Sequence, residues 1–542
     1  MADDVLHQHS GPDVTWSRVN MAETVVGVQT PLSWCCWDEL GERAFRIGYR
    51  QLRLVPASFL AIPTSIDEQF TAVFYGRGAT NLDAFRVALG AMPGNAREAA
   101  EAGFFASRTS GGRGPVTARR RLIVRVWLLI YARTARRRLA RIREASRTRW
   151  RAALTELPTA DRSLATRRLH DAIGYAADEV AAQIAVSTLA GMAHGAIQSL
   201  LARIGRSDLE MTIIGGYGHT EELDVAQALW DVAQGRVSLA SFLAQYGFHG
   251  PAEGELSSHT WREQPHPVES LVTSFRRMAD EANPRTAERS ASLAREQAEA
   301  TILAASHGRE RWQARRILAK GRAIIPLRVV AKAAFTQTFD IARIAARTLG
   351  ARLVDEGRLD AADDVFYLSL SEIDDLPDNL RSIVAERRAT RDGYLAIDLP
   401  LTWKGMPEPI AVDTATDAIA DGAPSTASSE AIGVSAGVVE GIAHVLTDPG
   451  DPSDFGPGDI LVCHTTDPSW TSYFLIASGV VIDIGGTLSH GAIVARELGI
   501  PCVMKYPGTR LLHSGDRIRV DGNTGTVTVL ARASIPDAAP DR

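Results

Sequence analysis

Two hydrophobic rhythms divide this chain. Over most of its length apolar residues return every three or four positions, the period of a helix with one buried face. Trp34, Trp37, Leu40, Phe45 and Tyr49 follow the helix-start pair Thr30-Pro31 in this way. Leu169, Ile173, Ala177 and Val180 repeat the spacing inside 158–210, which reads as long helices. Leu122, Val126, Leu129 and Ile130 share one helical face, and 265–320 is charged and helical. Past residue 430 the apolar residues gather into short unbroken runs bounded by Gly, Pro and Asp, the mark of strands. Examples are Ile460-Leu461-Val462 after Pro457-Gly458, and Val520-Asp521-Gly522 running on to Val527, Val529 and Leu530.

One of these runs, Gly479-Val480-Val481-Ile482, reads as a buried strand. Gly485-Gly486 breaks it, and Thr487-Leu488-Ser489-His490 leads into a helical pattern from about Gly491 to Leu498. Gly499 and Pro501 stop that helix, and Pro501-Cys502-Val503-Met504 begins another strand. The predicted fold class is therefore multidomain: a large, mainly α-helical domain followed by a small β/α domain. The predicted boundaries are a loose tail at 1–20, a helical domain at 21–394, a linker at 395–430, the β/α domain at 431–532 and a tail at 533–542. The linker assignment rests on the Pro, Asp, Ala, Thr and Ser of DTATDAIADGAPSTASSE.

Composition narrows the class. With 542 residues and 45% hydrophobic content, the chain has material for two to four cores. A net charge of −5 gives no overall bias toward nucleic acid or acidic membranes. Cys35, Cys36, Cys463 and Cys502 form no CxxC pair, which suits a reducing cytosol, and the acidic, polar start lacks the features of a signal peptide. The longest apolar stretch, Val126 to Ala132, is too short to span a bilayer. Against the mean, 107–151 holds fifteen arginines and one acid, Glu144. That stretch is open to three readings: a solvated face, a dock for an acidic partner or anionic ligand, or a nucleic-acid surface.

The candidate chemistry centres on His490. It follows a glycine turn at or near a helix N-terminus, where orphan N–H groups and the helix dipole favour an anion. An imidazole there is suited to carry a phosphoryl group as a nitrogen nucleophile. A histidine that merely caps a helix beside a core strand is the plain alternative.

The residues Gly485, Gly486, Ser489, His490, Ala492, Ala495, Arg496, Glu497, Gly499, Ile500 and Pro501 closely resemble the phosphohistidine swivelling domain, the mobile domain of PEP-utilising enzymes. Pyruvate phosphate dikinase, phosphoenolpyruvate synthase and rifampin phosphotransferase share that domain. The resemblance implies that His490 is the phosphorylated residue, with Gly485, Gly486, Thr487, Ser489, Thr465, Thr466 and Arg496 around the phosphate. Weaker likenesses run through 23–374: Thr30-Pro31-Leu32-Ser33-Trp34, the Met92-Pro93-Gly94 turn, and Asp363-Asp364-Val365-Phe366-Tyr367-Leu368. Tyr246 to Leu256 with Trp261-Arg262 resembles the segment expected to border an acceptor pocket. It implies Glu253, Glu255 or His249 as base and Arg262 as a phosphate contact. This chain has His249 where that group has Arg, and Arg328-Val329 where it has an Arg-Glu pair, leaving Arg328 as a further phosphate contact.

No GxxxxGK[ST] loop is present, and the glycine clusters at 110–114 and 215–218 follow no convincing strand. In the resembling enzymes an ATP-grasp domain precedes the Thr-Pro-Leu segment, and residues 1–22 cannot hold one. The expectation is a cytoplasmic phosphotransferase component of a split dikinase-like system. A separate ATP-grasp protein would supply ATP and Mg²⁺, no cofactor would be bound intrinsically, and a small molecule would accept the phosphate, with no membrane or nucleic-acid role. A non-catalytic phosphocarrier and a scaffold with a degenerate acceptor site are the alternatives.

Overall fold

The computed structural model describes residues 4–19, 21–92, 118–218, 221–280, 283–411, 431–446, 455–466, 470–487 and 489–533. Among these, the helices of seven or more residues are α1 (Pro31–Gln51), α2 (Leu82–Ala88), α3 (Ala118–Glu156), α4 (Arg162–Arg203), α5 (Glu221–Ala233), α6 (Leu239–Tyr246), α7 (His266–Phe275), α8 (Pro284–Ala305), α9 (Gly308–Ile324), α10 (Leu327–Asp355), α11 (Leu380–Leu395) and α12 (His490–Leu498). The strands are β1 (Thr15–Ser17), β2 (Thr71–Phe74), β3 (Arg77–Asn81), β4 (Ile397–Asp398), β5 (Thr402–Lys404), β6 (Ile410–Ala411), β7 (Ile432–Ser435), β8 (Val438–Leu446), β9 (Ile460–Cys463), β10 (Gly479–Ile482), β11 (Cys502–Met504), β12 (Arg517–Asp521) and β13 (Thr526–Ala531). The chain folds into two compact units. The first comprises Met1–Glu210, Gly247–Glu263 and Ala300–Thr414, and the second Met211–Tyr246, Gln264–Glu299 and Ala415–Arg542.

In the first unit α1, α3 and α4 surround α10, whose residues 332–346 are buried almost without a break. A helix buried on every side must find partners for its polar groups inside the protein. Asp340, fully buried, accepts from the Trp150 indole at 2.7 Å and lies 3.4 Å from both Arg262 and Arg343. Thr338 bonds Ser146 of α3 at 3.1 Å. α1 begins at Pro31 as its sequence predicts, yet Thr30 does not cap it with its own side chain. The Glu255 carboxylate does so from another part of the chain, accepting from the Thr30 amide at 2.9 Å, the Thr30 hydroxyl at 2.7 Å and the Ser33 hydroxyl at 2.6 Å. An antiparallel sheet in the order β2-β3-β1-β5 completes the unit.

The second unit is built on a seven-stranded sheet in the order β13-β12-β8-β9-β10-β11-β7. β8, β9, β10 and β11 run parallel, and β7, β12 and β13 join antiparallel. β9, β10 and β11 are buried at every residue, which is why they read as continuous apolar runs. α12 follows β10 and ends at Gly499, whose φ of 68° places it in the left-handed region that glycine adopts without strain.

Three expectations change. Residues 4–19 are not a loose tail: β1 pairs with β3 and β5, Trp16 is fully buried and Leu6 is 2% exposed. Short polar-flanked strands leave little periodic signal, so this one escaped the hydrophobic rhythm. The expected linker begins later than residue 395, because β4, β5 and β6 occupy its first part; 412–430 lies outside the described residues, as do Pro93-Gly94, the 110–114 glycine cluster and 534–542. Residues 211–246 and 264–299 group with the C-terminal sheet and not with the other helices. The reason is a buried carboxylate, described below.

The apolar face read at Leu122, Val126, Leu129 and Ile130 is 44–62% exposed, and α3 instead buries Val124, Leu128, Tyr131, Ala135 and Leu139. α4 contains a stretch long and apolar enough to cross a membrane, although polar residues interrupt its apolar run. That stretch is 67% buried inside the protein, as a core helix is.

Glu179 of α4 sits 3% exposed, accepting from Arg149 at 2.6 Å. Burial pushes its carboxyl up to about 8, outweighing the Thr338 hydrogen bond and the Arg149 charge. A value raised in the folded state favours folding while the group is protonated and loses that contribution as pH climbs through the folded value. Melting temperature is therefore expected to fall as pH rises from about 5 to about 8, between the ordinary and the folded value, and to level off above that, by roughly 2–4 °C per kcal/mol lost. The Glu179→Gln variant should show a shallower fall in the same scan, and an unchanged slope would refute this assignment.

Candidate phosphohistidine site

His490 opens α12, and the preceding residue, Ser489, is its N-cap: extended backbone, with its hydroxyl accepting from the Ala492 amide at 3.4 Å. The Ser489 amide donates to the Gly486 carbonyl at 2.9 Å, closing the turn that follows β10. Close approach fixes this turn. A Cβ at Gly485 would come within 2.7 Å of the Met504 sulfur, and one at Gly491 within 2.6 Å of the Thr466 hydroxyl oxygen. Gly485, Gly486, Thr487, Ser489 and His490 are thus brought together with Thr466, from the loop after β9. The neighbouring Thr465 hydroxyl is buried without a hydrogen-bond partner. An orphaned donor beside the first turn of α12 fits a loop that receives an anion. Leu488 and 467–469 lie outside the described residues.

The sequence reading missed the partner of His490. Glu222, the second residue of α5, places its Oε1 3.4 Å from His490 Nδ1, and both residues are 8% exposed. A carboxylate facing Nδ1 favours the tautomer protonated there and leaves the lone pair on Nε2. It also stabilises positive charge on the ring when Nε2 forms a bond. The available signal was Glu221-Glu222 at a helix start shortly after Tyr217-Gly218, a pairing of acids with a helix N-terminus.

The element carrying Glu222 is fastened to the sheet by a second carboxylate. Glu497 of α12 accepts from the amides of Tyr217 and Gly218, each at 3.2 Å. Burial pushes Glu497 above its ordinary value, with the two amide bonds and Arg496 opposing. Arg295 reaches the Gly216 carbonyl at 3.0 Å and lies over the Tyr217 ring. This is the attachment that groups 211–246 and 264–299 with the C-terminal sheet. Arg496, expected at the phosphate, donates to the Val434 carbonyl at 2.6 Å and to the Thr487 carbonyl, bracing the loop before His490. At the ends of β9 and β10, His464 and Asp483 pair at 3.1 Å.

The acceptor-side candidates lie in the first unit. His249 Nδ1 is 2.6 Å from Glu253 Oε1, and both are buried. Glu253 therefore orients His249, as Glu222 faces His490. Glu255 is engaged as the cap of α1, with the Ser257 amide as a further donor at 2.9 Å. Arg262 turns its guanidinium toward Asp340, and its own amide donates to the Gly247 carbonyl at 3.0 Å. Arg328 is the second residue of α10.

Residues 455–525 match the family described as PEP-utilising enzyme, mobile domain, and 236–328 match the rifampicin phosphotransferase fourth domain. The chain is 32% identical over 340 residues to an uncharacterized protein of Mycobacterium tuberculosis, covering 62% of this chain and 36% of that one. It is 29% identical over 307 residues to a rifampicin phosphotransferase of Streptomyces sviceus, covering 55% and 35%. It is 33% identical over 200 residues to the uncharacterized phosphotransferase YvkC of Bacillus subtilis, covering 35% and 24%. The chain thus spans about a third or less of the length of these relatives.

Two substitutions separate positioning from support. Glu222→Ala is expected to lower the rate of His490 phosphorylation about 10–100-fold, the usual effect of losing an orienting partner. Ring ¹⁵N shifts of His490 should also move away from the Nδ1–H tautomer, a change that a purely structural role would not produce. Glu255→Gln should cost about 1–3 kcal/mol of stability by leaving buried donors unmet, read as a lower unfolding midpoint of the first unit.

Proposed function

Taking the C-terminal module as a PEP-utilising enzyme mobile domain, we propose that this chain is a phosphotransferase that carries phosphate on His490. The observation that carries the reading is the buried His490–Glu222 pair at the N-terminus of α12. Nε2 attacks phosphorus, a P–N bond forms as the P–O bond to the nucleotide breaks, and Glu222 offsets the charge gained by the ring. In the second step an acceptor hydroxyl forms a P–O bond as the P–N bond breaks, and its proton passes to a base. His249, oriented by Glu253, is the proposed base, and Arg262 the proposed phosphate contact.

The donor is proposed to be a separate ATP-grasp protein holding ATP and Mg²⁺, in the cytoplasm, where four free cysteines stay reduced. The acceptor is proposed to be a small hydroxyl compound bound by the helical unit. Relatives whose names record phosphotransfer support the reaction class. A carrier or scaffold without an acceptor step is the second reading, favoured by the structural engagement of Glu255 and Arg496.

Intact mass tests the carrier step. Wild type incubated with ATP, Mg²⁺ and a candidate ATP-grasp protein should gain one acid-labile phosphate, and His490→Ala should gain none. A phosphate retained in the variant would place the carrier elsewhere. A phosphate gained with ATP and Mg²⁺ alone would remove the need for a partner.

A further inference from the structure

The arginine-rich stretch has a feature that phosphate carriage by His490 does not use. Arg136, Ala140, Arg143, Glu144 and Arg147 recur along α3 at steps of three and four, and so occupy one face of the helix. With Leu327 at the start of α10 they line a concavity of about 240 Å³. Some arginines of the first unit meet carboxylates: Arg149 with Glu179, Arg168 with Glu156, Arg347 with Glu263, and Arg387 with Glu372. Arg136 and Arg147 take part in no hydrogen bond or ion pair among the described residues, and unlike the other unpaired arginines of α3 they face one hollow. Like charges drawn around one hollow repel, and the repulsion is relieved by an anion inside it.

We propose that this concavity is a binding site for a small phosphate monoester. Three guanidinium groups against one carboxylate give the lining a net charge of +2 (3 − 1). A phosphate monoester carries about −1.5 to −2 at neutral pH, so it matches the lining more closely than a single carboxylate does. The forked guanidinium donates two parallel hydrogen bonds to phosphate oxygens. Leu327, Ala140 and the methylene stems of the arginines offer an apolar wall for the organic part of the ligand. The site belongs to the first unit, and His490 to the second.

Calorimetric titration of the full chain with phenyl phosphate, at ionic strength held constant with chloride, tests the proposal. Saturable binding is expected, with affinity at least tenfold lower in the Arg136→Ala/Arg147→Ala double variant. Benzoate, an aryl anion with a planar head and one charge, should bind more weakly than phenyl phosphate. Arg137→Ala/Arg141→Ala, exposed positions on the same helix outside the concavity, should leave binding unchanged. No saturable binding, equal loss in this second variant, or tighter binding of benzoate would each overturn the proposal. All four positions are on the surface, and matched melting curves check that the variants fold.

Discussion

A carboxylate taken out of water must be met by N–H or O–H groups, and much of this architecture follows from where those donors come from. Glu255 is met by Thr30, Ser33 and Ser257, which joins a loop near residue 255 to the start of α1. Asp340 is met by Trp150, Arg262 and Arg343, which joins three segments of the first unit across its central helix. Glu497 is met by the amides of Tyr217 and Gly218, and through that contact residues distant in sequence become part of the unit that holds His490. In each case at least one donor is distant in sequence, so each carboxylate fixes topology as well as local geometry.

This pattern explains what the sequence could and could not disclose. The glycine turn, the helix from His490 to Leu498 and the strand at Cys502 were legible because they are local. Strand period, a capping serine and a left-handed glycine all announce themselves within a few residues. Glu222 was hidden because nothing near it in sequence specifies that it faces His490; the contact lies across 268 residues, beside the one between Glu497 and residues 217–218. The part Glu255 plays at the start of α1 was hidden for the same reason, because Thr30 and Ser33 lie more than two hundred residues away. The apolar residues of α3 shared a face as their spacing indicated, but spacing alone does not say which face the protein buries.

Two histidines repeat one arrangement. His249 with Glu253 and His490 with Glu222 each present Nδ1 to a buried carboxylate, one pair in each unit. In both cases a carboxylate facing Nδ1 favours the proton on that nitrogen and leaves the lone pair on Nε2. The base and the carrier proposed above would share this requirement, because each must keep its proton on the nitrogen that does not react.

The glycine after His490 has a further consequence. With the Thr466 hydroxyl oxygen 2.6 Å and the Ile482 Cδ1 2.9 Å from where a Cβ would stand, a side chain at position 491 would have to displace both, and the first helical turn lies close against these side chains. The reactive nitrogen is then positioned by only two rotatable bonds, those of the histidine side chain itself. A carrier of the kind proposed would then present a tip of fixed reach: the placement of the whole module would set how far a phosphoryl group is handed on, and the imidazole would contribute aim.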